Sequence, residues 1–236
     1  MKAEKNVQYQ LKLSSRRTTV SIQVKKDGSV VVLAPKWLDC RRIEQILAEK
    51  QQWIASQQVT MKKLYRPPIH HEYHAGEQFY LLGVPYILKL AKYIGRRAVV
   101  NEQHRFIVMD EKTDPKTRKQ KVRDIYRRIG ERYVEEHLSA LTDAVTKCNP
   151  GRTPRSVRFR SMKRRWGSCS HAGVITLSLR LFGADPELID YVIVHELAHL
   201  HHFHHQSSFY CLLDAVMPDW RRRRSALERI SGDLII

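Results

Sequence analysis

The sequence predicts an α+β fold, with a β-rich N-terminal portion over residues 1–113 and a helix-rich region over 114–236. Three observations predict it. Short runs with an apolar residue at every second position fill much of the first portion. A long run at helical spacing opens at Asp114-Pro115. A second apolar helical run, after Asp185-Pro186, carries His195-Glu196-Leu197-Ala198-His199.

The elements follow in chain order. Val7, Tyr9, Leu11 and Leu13 alternate with polar residues, as do Val20, Ile22 and Val24. Asp27-Gly28 is a turn signal before Val30 to Leu33, which predicts a hairpin. After Pro35 the period changes. Ile43, Ile46, Leu47, Lys50, Trp53 and Ile54 share one face of a helix that starts near Asp39 and is broken by Tyr65-Arg66-Pro67-Pro68. The polar loop that follows carries His70, His71 and His74, read as solvent-exposed. Strands resume at Phe79 to Leu82, turn at Gly83, and continue through Tyr86, Leu88 and Leu90. Val99-Val100 and Phe106 to Met109 complete a set expected to be antiparallel.

In the long helix, Val122, Ile125, Ile129, Tyr133, Leu138, Leu141 and Val145 keep helical spacing until Asn149-Pro150-Gly151 stops it. Val157 and Phe159 mark a short strand, and Ile175 and Leu177 mark another beyond a basic loop. Asp185 and Pro186 supply an N-cap and a first-turn proline for the His195 helix. Gln206-Ser207-Ser208 restarts a helix through Phe209, Leu212, Leu213 and Val216. Pro218 ends it, and Asp219-Trp220 opens the last one.

Composition bounds the chemistry. The chain has 236 residues, a formal net charge of +18 and four cysteines. No apolar run is long enough to span a bilayer, and MKAEKNVQYQ lacks the apolar stretch of a signal peptide. The cysteines show no C-x-x-C spacing, which predicts free thiols and a cytoplasmic location. Arg158, Arg160, Lys163, Arg164 and Arg165 crowd a stretch without an acid. Such a cluster is either a solvated face or a contact for an anionic substrate or nucleic acid.

Residues four apart on a helix point the same way, so His195 and His199 face one point and can hold a divalent ion. Glu196 lies beside them, where a carboxylate can take a proton from a water activated by the ion. A catalytic site of this kind needs a third protein ligand. His202 lies on the same helical face but about 10 Å along the axis if the helix continues. His205 can approach from another direction if the chain turns back, and it is the preferred third ligand. His201 and His204 are then surplus.

Together with Arg165-Trp166-Gly167-Ser168-Cys169, Ile175-Thr176-Leu177, the run from Asp190 to Leu200, Phe209 and Met217-Pro218-Asp219-Trp220-Arg221, this pattern resembles the YgjP-like metallopeptidases, relatives of the zincins. The resemblance covers most of the chain. It implies a zincin-like catalytic domain over 114–236, one Zn²⁺ per chain on His195, His199 and His205, and Glu196 as the catalytic carboxylate. His204 and Ser178 stand where the family commonly has asparagine. Ser178 is thereby a candidate substrate contact, as are Arg164 and Arg165 for negative charge. Trp166 and Gly167 are expected to form a structural turn. The expected function is zinc-dependent peptide hydrolysis. A nucleoside triphosphate pyrophosphohydrolase and a nucleic-acid-associated protein with a recruited metal site are the alternatives.

Overall fold

The computed structural model describes residues 8–25, 27–64, 69–92, 95, 97–234 and 236. Val7 and the Tyr65-Arg66-Pro67-Pro68 break lie outside the described residues. The fold is α+β, and the chain divides into two compact units, Met1–Pro67 and Pro68–Ile236. The strands between residues 78 and 110 therefore share a unit with the His195 helix, although their period groups them with the N-terminal strands.

In the first unit, β1 (Tyr9–Ser14), β2 (Ser21–Val24) and β3 (Val30–Pro35) form a sheet in the order β1-β3-β2. The β2–β3 pair is the expected antiparallel hairpin, with Gly28 in the turn at a φ of +82° that a residue without Cβ adopts freely. Strand β3 pairs with β1 in parallel, Tyr9 opposite Val30. As the central strand it is apolar on both faces. Val30, Val32 and Ala34 pack with Ile43, Leu47 and Ile54 from the helices that follow. Those helices are two where the spacing predicts one: α1 (Cys40–Glu49) and α2 (Gln51–Leu64). Lys50 leaves helical geometry, at φ −99° and ψ 7°. The break rotates the second helix out of the common face, and Trp53 is 45% exposed.

The second unit begins with β4 (Gln78–Leu81), β5 (Val84–Ala91), β6 (Val99–Asn101) and β7 (Phe106–Asp110), in the order β4-β5-β7-β6. Because β5 skips its successor to pair with β7, that pair runs parallel, Ile87 opposite Phe106. This corrects the all-antiparallel expectation. His71 is also unlike its exposed neighbours. It is buried, stacks on Phe79 with centroids 4.2 Å apart, and its Nδ1 lies 2.8 Å from Oε2 of Glu77.

Helix α3 (Pro115–Cys148) has the predicted bounds. Asp114 caps it by accepting from the Thr117 N–H at 3.0 Å, and Pro115 needs no partner in the first turn. Its buried face includes Val122, Ile125, Tyr126 and Tyr133. The single Tyr133 O–H faces both Asp190 Oδ1 at 2.7 Å and the Pro186 carbonyl at 3.0 Å, pinning the next helix.

Strands β8 (Ser156–Arg160), β9 (Gly167–Cys169) and β10 (Val174–Ser178) form a second sheet with β10 in the middle, parallel to β8 and antiparallel to β9. A short 3-10 helix (Leu179–Gly183) leads to α4 (Pro186–Ala198), followed by α5 (Ser207–Val216) and α6 (Trp220–Ile230). Asp185 occupies the N-cap position of α4 without making a side-chain cap bond. Helix α4 is the hub of this unit, packed against α3, α5, α6 and β9. Leu188, Ile189, Val192, Ile193, Val194 and Leu197 are all buried. No helix among the described residues is long and apolar enough to cross a membrane.

Candidate metal centre

Helix α4 ends at Ala198, one residue before the second histidine of its motif. His199 keeps right-handed backbone angles, and the chain then turns through residues 200–206 into α5. The turn brings His205 back toward the helix, placing its Nε2 3.2 Å from Nε2 of His195. One nitrogen from each of His195, His199 and His205 lies within 4.8 Å of the other two. A tetrahedral ion bonded at about 2.0–2.1 Å to imidazole nitrogens holds them about 3.3 Å apart, so the spacing fits a single small cation after slight adjustment.

The imidazoles of His195 and His199 are prepared as neutral donors. Burial pushes His195 down to about 3, and the neighbouring His199 and His205 act in the same sense. Burial also lowers His199, whose Nδ1 lies 2.9 Å from the carbonyl oxygen of His202. An Nδ1–H donating there leaves the Nε2 lone pair free to face the cluster. His202 thus contributes through its backbone. Its ring is turned toward Asn149 and Ser208, at 3.4 Å from each. His195 Nδ1 is buried with no partner among the described residues, so none of these fixes its tautomer and an ion on Nε2 would do so. Phe209 forms the floor, its ring centroid 5.0, 4.7 and 4.8 Å from those of His195, His199 and His205.

Glu196 points from α4 toward β9 and is only 5% exposed. Burial pushes its carboxyl up to about 8, opposed by the positive charge of Arg165. The space for the carboxylate comes from Gly167, where a Cβ would stand 2.6 Å from Glu196 Oε1. The expectation that Gly167 serves only a turn is therefore incomplete. It lies in edge strand β9, opposite Leu177 of β10, and that register sets it against the carboxylate. Trp166 beside it stacks under Arg180, whose guanidinium carbon is 3.9 Å from the ring centroid.

The remaining candidates differ in how they relate to this cluster. Arg164 and Arg165 are both exposed, and only Arg165 has its charge registered by Glu196. Ser178 is 0% exposed and donates to the Met162 carbonyl at 3.2 Å, so it holds the loop after β8. Cys169 is outside the histidine cluster, and burial together with the Glu196 charge pushes its thiol up to about 11. His201 and His204 contribute nothing to the cluster. Beside His195 and His205 opens a cavity of about 350 Å³ bounded by Tyr191, Tyr210, Trp220 and Arg224. This pocket is legible only in three dimensions, because α4, α5 and α6 each supply part of its wall.

Comparison with known proteins decides the family. The model of the YgjP-like metallopeptidase domain matches residues 18–230, which is most of the chain and includes the whole histidine cluster. The chain belongs to the YgjP-like family. No curated protein matches it. Among solved structures, the crystal structure of the metallopeptidase zymogen of Pyrococcus abyssi abylysin is 28% identical, covering 37% of this chain and 86% of that one, with a TM-score of 0.32. As a YgjP-like chain, this one has a metallohydrolase architecture in which a histidine triad, a buried glutamate and an edge strand meet at one helix.

Proposed function

We propose that this protein is a zinc-dependent peptidase in which His195, His199 and His205 hold the ion and Glu196 is the general base. The observation that carries the reading is the convergence of the three imidazole nitrogens within 4.8 Å, on the helix that also carries a buried carboxylate. Zn²⁺ is the fitting ion because three neutral imidazoles with one open position match its preferred coordination.

When bound, the ion supplies Lewis acidity for the scissile carbonyl and acidifies a water. The chain's residues do the rest. Glu196 accepts the proton of the attacking water on a carboxylate oxygen and returns it to the leaving amine nitrogen. Burial makes it a stronger base than an exposed glutamate, while Arg165 and the nearby dication favour its ionised form. Gly167 keeps the carboxylate in place by leaving room for it. The edge of β9 offers a backbone ladder on which an extended peptide can lie. The aromatic cavity beside His195 then receives a side chain of that peptide, with Tyr210 stacked on Trp220 at 5.4 Å as its wall.

The test is metal analysis of the purified protein together with cleavage assays on peptides, unfolded proteins and nucleoside triphosphates. The expected result is one zinc per chain and peptide-bond cleavage that Glu196→Gln abolishes while retaining zinc. Triphosphate hydrolysis lost in the same variant, with no peptide cleaved, would overturn the substrate assignment.

A further inference from the structure

Away from the histidine cluster, a second cavity of about 350 Å³ lies between the start of the second unit, α3 and the loop after β8. It shares no lining residue with the aromatic cavity beside His195. Lys119 and Arg123 enter it from α3, Lys163 from the loop, and Arg180 from the 3-10 helix. Among the described residues no aspartate or glutamate side chain lines it. Of the acids nearest in sequence, Glu72 pairs with His74 at 3.2 Å, Asp124 accepts from Gln120 at 2.9 Å, and Glu77 is taken by His71 and by the backbone N–H groups of Glu72 and His74.

The four cations have little anionic compensation, although Arg180 stacks on Trp166 at 3.9 Å and Lys119 lies 5.6 Å from the Tyr73 ring centroid. Among the described residues none of them has an ion pair. Arg123 and Arg180 each bury Nε without a partner. Arg180 has one long bond to the Ser231 carbonyl, at 3.4 Å, and burial lowers its affinity for a proton. Arg118 on the same helix also buries an unpartnered Nε, but it differs at its terminal nitrogens. That guanidinium is spent on structure, donating to the carbonyls of Tyr73 and Glu111 at 3.1 and 2.9 Å. Four like charges gathered around one concavity repel each other and raise a local positive potential. A solvated surface spreads such charges out; a pocket concentrates them.

We propose that this cavity is a binding site for the phosphate group of a small phosphate monoester. A dianion matches the accumulated positive charge better than a single carboxylate, and guanidinium groups pair with phosphate oxygens in a forked geometry. The Ser161 hydroxyl is at hand as a further donor. The volume exceeds that of phosphate alone and falls in the range of small-ligand pockets. Ile69, Tyr73 and Met162 supply an apolar wall for an organic stem. The site is independent of the reading of the metal centre, since it uses none of the same residues.

The experiment is calorimetric titration at low, fixed ionic strength with inorganic phosphate, phenyl phosphate and succinate. Phenyl phosphate is expected to bind saturably at one site per chain, and at least about tenfold more tightly than either other probe. Arg123→Gln and Lys163→Gln should each weaken it about tenfold or more, and Arg180→Lys, which keeps the charge but loses the fork, should weaken it as well. Arg128→Gln, at an exposed position of α3, and His195→Ala should leave it unchanged. The proposal is overturned if Arg128→Gln weakens binding as much as Arg123→Gln, which would mean diffuse attraction. It is equally overturned if His195→Ala abolishes binding, or if succinate binds as tightly as phenyl phosphate.

Discussion

A methyl group on Gly167 would stand 2.6 Å from Oε1 of Glu196, closer than any unstrained contact between those atoms. The edge strand and the active helix are thus fitted to one another at a single hydrogen atom. Gly167→Ala must displace either the carboxylate or the strand. The expected outcome is normal zinc content with peptide hydrolysis reduced about 10²-fold, since small misplacements of a reacting group cost that much. Metal analysis and turnover on one preparation check it. Unchanged turnover would mean that Glu196 does not act from this position.

The third ligand is tested by a pair of substitutions. His205→Ala should lower zinc affinity by at least 100-fold. His202→Ala should change it less than about tenfold, because the His202 carbonyl that faces His199 survives the substitution. Competition with a chelator gives both numbers. The opposite order would mean that the side chain of His202, rather than that of His205, faces the ion.

Phe209 is 0% exposed beneath the three imidazole rings. Phe209→Ala leaves a cavity under the ligands and is expected to cost about 3–5 kcal/mol of stability. Phe209→Leu, which fills most of the space, should cost less and retain the ion. Denaturant unfolding of the metal-loaded proteins measures both.

The cysteines give a pH-dependent prediction. A thiol reacts as its thiolate, and Cys169 is pushed up to about 11 by burial and by Glu196, so it gains that form only at strongly alkaline pH. At pH 8 its alkylation should be about 100-fold slower than that of exposed Cys40, Cys148 and Cys211, and should still be accelerating above pH 9. Peptide mapping after timed alkylation reads the rates. Fast labelling of Cys169 at pH 8 would contradict its half-buried placement at the end of β9.

Much of this molecule is legible locally, and the remainder depends on long-range pairing. The bounds of α3 follow from Asp114, Pro115 and Asn149, residues whose backbone preferences act within one turn. The approach of His205 follows from the need for a third ligand within reach of His195. The parallel pairing of β5 with β7 is different in kind. It requires β6 to sit at the sheet edge, and no residue within β5 encodes that. The break at Lys50 leaves the apolar spacing almost intact, so periodicity does not register it. His71 looks exposed in its polar loop because Glu77 and Phe79, which bury it, belong to the next strand and its approach. Gly167 reads as a turn glycine until β10 fixes the register of β9 against α4. Its partner Glu196 lies far along the chain.

The three proposed ligands come from a single short span, with His205 ten positions after His195. Closing so small a loop costs little chain entropy, so an ion can be captured as soon as α4 and the turn after it have formed. The sheet that seats Glu196 has to arrive from much earlier in the chain. On the proposed reading, the three ligands can therefore gather before the carboxylate beside them is seated.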